Sequence, residues 1–252
     1  MFAYGHSGAS LAQYLNVLRS LSDTEPDEVV ITLVHKDFQE SLFGFVRKDN
    51  LTLRPLAGGA FEEVPPLPVS NLGLKRTVRH SAVARYLIGN LRLNLSGGWI
   101  HDLFYGDTRR YQANIDLDGQ TLLNQPALLP ALLRHVLAEL CVAAPQAHML
   151  LVVDADRTAI YNGEDPRASD VYAYNEVLHR AGEAADVAVV DLTDAFEASW
   201  RSKRQRFDWA QDFHWNSLGH AAVADVVGQW LRTQHTGLSP DGGGTLVDHV
   251  QQ

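Results

Sequence analysis

Leu11, Tyr14, Leu15, Leu18 and Leu21 recur at helical spacing, which predicts an amphipathic helix near the start of the chain. Ser10 with Gln13 three residues on reads as a capping box, so the helix is expected to begin there. Pro26-Asp27 breaks it, and Glu28 to Val34 follows as a continuous, β-branched apolar run. Such a run reads as a buried parallel strand. Strand end, turn, helix and strand thus form one βαβ unit opening at residue 1. Residues 39–125 are less regular: Pro55, Gly58-Gly59, Pro65-Pro66 and Pro68 mark loops, and Val83 to Leu93 has a helical pattern. This stretch reads as an elaboration on the sheet. Pro126 then opens an apolar helix through Leu140, with proline favourable at its first turn.

Met149 to Val153 is the next expected buried strand, ended by Asp154. Tyr172 to Ala184 is expected to be helical, Val187 to Leu192 a further strand, and Ser217 to Leu231 the last helix. Buried strands alternating with helices predict an α/β fold, a three-layer α/β/α sandwich around a parallel sheet, over residues 1–234. From His235 onward, Pro240-Asp241 and Gly242-Gly243-Gly244 read as a disordered tail over 235–252.

Composition narrows the partners. The 252 residues are 46% apolar and 20% charged, an ordinary globular balance, and a formal charge of -9 argues against nucleic acid or anionic lipid. One cysteine, Cys141, excludes a disulfide scaffold and reads as a small core residue. No apolar run approaches the ~20 residues of a membrane helix, so no membrane span is expected. Nor does an export signal stand at residue 1, which points to the cytoplasm unless residues upstream carry one.

The sharpest local motif is Asp212-Phe213-His214-Trp215-Asn216-Ser217-Leu218-Gly219-His220, just before the last helix. A carboxylate two residues from a histidine can orient the imidazole as a general base; a capped helix start with a surface histidine is the plainer reading. Asn216 suits the helix cap, and Gly219 permits close packing of the helix. Gly5-His6-Ser7-Gly8-Ala9 approaches the G-x-S-x-G elbow of α/β-hydrolases, with Ser7 as nucleophile, but Ala9 replaces the last glycine. Gly106-Asp107-Thr108 follows no apolar strand and reads as a turn. His35-x-Asp37 is a chance-level metal pair, and His80, His135 and His179 lie in helical patterns; no metal site is expected.

The nine-residue string closely resembles the last block of the SGNH (GDSL-like) hydrolases, in the D-x-H-W-N-x-x-G-H form of their alginate acetyltransferase-like members. Tyr4-Gly5-His6-Ser7-Gly8-Ala9-Ser10-Leu11 resembles the family's second block, and Asp27 to Phe38 its third, a strand running into His35-Lys36-Asp37. The likeness runs in order from residue 1 to about 232 and is carried by its two ends. It implies a flavodoxin-like parallel sheet, His214 as base, Asp212 as its orienting carboxylate and Gly8 as an oxyanion donor. Lys36 stands where the family has an oxyanion-hole asparagine. No cofactor is implied, and the substrate is a small-molecule or carbohydrate ester.

The family's first block, a strand ending in Gly-Asp-Ser with the nucleophile, has no counterpart here, so the first strand is expected to be missing. Losing a central strand leaves its neighbours' backbone groups unpaired, on the order of 1–3 kcal/mol each. The expectation is therefore an N-terminally incomplete serine esterase or O-acyltransferase, inactive as this chain alone. A non-catalytic binding module on the same scaffold is the alternative, a strand supplied in trans another, and an α/β-hydrolase using Ser7 a third.

Overall fold

A computed structural model describes residues 3–4, 8–44, 50–66, 122, 125–209 and 214–236. In chain order its elements are α1 (Leu11–Ser20), β1 (Glu28–Leu33), α2 (Lys36–Glu40), β2 (Thr52–Pro55), β3 (Phe61–Val64) and α3 (Leu128–Ala143). They continue with β4 (His148–Val153), α4 (Arg157–Asn162), α5 (Asp170–Ala185), β5 (Ala188–Asp191), α6 (Thr193–Lys203) and α7 (Ser217–Thr236). The fold is mixed α/β with a three-stranded parallel sheet, compatible with the expected three-layer sandwich. Two compact units emerge, one from Met1–Asp27 and Val34–Ala147, the other from Glu28–Leu33 and His148–Gln252.

In the first unit α1 packs against α3 through stripes at helical spacing. Leu11, Leu15 and Leu18 are buried on one helix, and Leu129, Leu132, Leu133, Val136, Leu137 and Leu140 on the other. Pro126 lies two residues before α3 rather than in its first turn. The irregular stretch contributes an antiparallel ribbon, β2 with β3, whose turn passes through Gly58 and Gly59 at φ +79° and +81°. Arg19 on α1 ties the ribbon and α3 together, reaching Glu63 at 2.8 Å and Glu139 at 2.5 Å. The Arg19 hydrogen bond holds the Glu63 carboxyl below the usual carboxylate range. The helical pattern at Val83 to Leu93 lies outside the described residues.

The second unit holds the sheet, ordered β1-β4-β5 with all pairs parallel. β4 is central, and Met149 to Val153 are buried on both faces, as a run without polar alternation requires. β1 differs from expectation. Ile31 and Leu33 are buried, but Val30 is 39% exposed and Thr32 is exposed, so only one face of this strand is fully covered. Successive side chains point to opposite faces, and a Val/Ile-rich run reads alike whether one face or both are covered. Leu150 and Val152 meet Ile160 of α4, Phe196 of α6 and Val223 of α7, with Phe207 stacked on Phe196 at 4.6 Å between ring centroids. α7 runs to Thr236, two residues into the expected tail; the rest of that tail lies outside the described residues.

Candidate active site

In the first unit, Gly8 stands two residues before the cap of α1 with φ +71°, a conformation that favours glycine. Its carbonyl accepts a hydrogen bond from Asn50 Nδ2 at 2.6 Å. Ser10 caps α1 as its sequence predicts, its Oγ accepting from Gln13 N at 3.4 Å. The reciprocal half of the capping box does not form, because Gln13 Oε1 accepts instead from the Leu51 backbone N–H at 2.8 Å. Ser41 Oγ takes the Ala12 N–H and donates to the Asp37 carbonyl. These buried bonds fix the backbone at a helix N-terminus, where outward N–H groups and the helix dipole favour negative charge.

Lys36 opens α2, and its ammonium lies 3.1 Å from Glu40 Oε1 with 41% of the side chain exposed. Asp37 is buried and accepts from the Val34 N–H at 3.0 Å, so the carboxylate of the His35-x-Asp37 pair closes a turn. Ser7 and Asp212 lie outside the described residues, as does Gly106-Asp107-Thr108.

In the second unit, His214 is exposed immediately before α7. Residues 207–209 run antiparallel to 214–216: Trp209 N donates to the His214 carbonyl at 2.9 Å, and Asn216 N to the Phe207 carbonyl at 2.7 Å. Asn216 does more than the cap its position suggests. Its Oδ1 accepts from Leu218 N and Gly219 N, while its Nδ2 donates to the Arg206 and Asp208 carbonyls. One side chain therefore fastens the start of α7 to the segment ahead of His214. Gly219 completes the joint. A Cβ there would stand 2.5 Å from the Phe207 carbonyl oxygen and 3.0 Å from Trp215 Cβ. Gly219→Ala is expected to cost about 1–3 kcal/mol by overpacking, read as a lower urea midpoint.

Beneath this joint lies a buried ion cluster that sequence spacing did not single out. Arg157, 2% exposed at the start of α4, reaches Asp154 Oδ2 at 3.0 Å and Asp208 Oδ2 at 3.4 Å. Asp208 also accepts from Arg206 Nε at 2.9 Å and from the Tyr161 hydroxyl at 3.3 Å. Asn175, on α5, donates to the Asp154 carbonyl and to Asp191 Oδ2, so the carboxyl ends of β4 and β5 share one network. An Asp directly after an apolar strand with Arg three positions on was the available sequence signal; Asp208 joins them only through the fold.

The Tyr161 hydroxyl accepts from the Phe207 N–H at 2.9 Å, and burial pushes its pKa from 10.0 up to about 12. The raised value means that folding favours the neutral phenol. This contribution to stability is fully present below pH 10 and is lost as the pH rises through about 12. Tyr161→Phe is expected to flatten the loss of stability between those limits, measured as urea midpoints at either end against the parent protein.

Among the described residues no helix is long and apolar enough to cross a membrane. Compared with family models, with curated proteins and with solved structures, the chain matches none of them.

Proposed function

We propose that this chain carries the base side of an SGNH-type site that hydrolyses or transfers the acyl group of a small-molecule or carbohydrate ester. The observation that carries this reading is the Asp212 to His220 string, whose His214 is presented at a helix start held by Asn216. A serine Oγ attacks the acyl carbonyl, and His214 accepts its proton. Asp212 steadies the imidazolium, and a backbone N–H binds the oxyanion, the role that the family resemblance gives to Gly8. His214 then returns the proton to the departing alkoxide, and water or an acceptor alcohol takes the acyl group from the serine. No cofactor is required.

The serine belongs to a Gly-Asp-Ser block, which these 252 residues do not contain. The chain alone is therefore expected to leave p-nitrophenyl acetate at its background rate, whereas the native protein from its source turns it over. Turnover by the 252-residue chain that disappears in His214→Ala would shift the nucleophile to Ser7. The ion pair of Lys36 with Glu40 favours a second reading, a non-catalytic module on this scaffold, because it occupies the ammonium where the family has an asparagine donor. A native protein without ester turnover is the result that supports it.

A further inference from the structure

We infer that Arg157 is a positioning residue for His214, acting through Asp208; the inference rests on the assignment of His214 as the base. A guanidinium at the first residue of a helix faces the positive end of the helix dipole, an unfavourable place for a cation. Arg157 is nevertheless buried there, held between Asp154 at the end of β4 and Asp208. Asp208 pairs with Trp215 across the antiparallel bridge, its carbonyl is held by Asn216 Nδ2, and the adjacent Trp209 N–H binds the His214 carbonyl. The ion cluster thus connects the central strand to the backbone beside His214 through three residues, Asp154, Arg157 and Asp208. Arg206 and Tyr161 hold the same carboxylate, Arg206 reaching both of its oxygens. A guanidinium suits this position better than an ammonium because it is planar and reaches two carboxylates with separate nitrogens.

Hydrogen exchange at the Trp209 amide reads this coupling without any need for catalysis. In Arg157→Lys, which keeps the buried charge but not the planar reach to two carboxylates, that amide is expected to exchange at least tenfold faster, with core amides of β4 and α5 accelerated less. Unchanged Trp209 exchange overturns the inference, and so does an equal acceleration at every core amide. If Arg157→Lys does not fold, Asp208→Asn serves, since it removes the carboxylate that Arg157 grips; a Trp209 rate equal to that of the parent again overturns the inference. In the native protein, Arg157→Lys is expected to lower kcat for p-nitrophenyl acetate while leaving KM in place. Failure of the ester assay alone removes the functional reading and leaves the exchange result standing.

Discussion

Replacing Arg157 by methionine is expected to destabilise the sheet-bearing unit by about 3–5 kcal/mol, measured as a fall in the urea midpoint. The side chain is 2% exposed, and both of its carboxylate partners are buried with it. The cost arises less from the lost attraction than from the charges left behind. Asp208 keeps Arg206 and Tyr161, and Asp154 keeps the Ala155 N–H at 2.9 Å. A double replacement, Arg157→Met with Asp154→Asn, is expected to be less damaging than the sum of its parts, because the two groups pair directly. Additive losses would mean that the two groups do not depend on each other.

The second large effect is chemical. His214→Ala in the native protein is expected to lower p-nitrophenyl acetate turnover by about 10²–10⁴-fold, the range for loss of a positioned general base. His214 is exposed and lies outside the buried cluster beneath it, so the urea midpoint is expected to stay near that of the parent. His179, on α5, serves as the control, since His179→Ala removes an imidazole with no place in the proposed reaction. Equal turnover in the parent and both variants would separate ester chemistry from the string before α7.

Elements with a long apolar stripe or run were legible in the sequence. The paired stripes of α1 and α3 and the helices α5 and α7 follow from side-chain periodicity, which depends only on local backbone geometry, and the central strand β4 from an unbroken apolar run. Short α2 and α4 escaped because one or two turns cannot display a period. In α6 only Thr193 and Phe196 are fully buried, so its pattern is mostly that of a solvated segment. The open face of β1 was hidden for a related reason: Val30 and Thr32 are as β-prone as their buried neighbours.

The same contrast holds at the candidate site. His214, Asn216 and Gly219 lie within six residues of one another, so a local motif reveals them together. Gly219 does permit the close approach that its position in the motif suggests, with the Phe207 carbonyl against it. Arg157 and Asp208 are far apart in the chain and meet only once α4 and the segment before α7 have packed on β4. Gln13 shows how a local rule yields to the fold: its side chain leaves the cap for the buried Leu51 amide.

The most direct test of the functional account is covalent labelling of the native protein with a fluorophosphonate, mapped by peptide mass spectrometry. The account predicts one labelled serine in a Gly-Asp-Ser sequence, with labelling abolished in the native protein's His214→Ala variant. No labelled serine, or the same labelling in the variant, would contradict it.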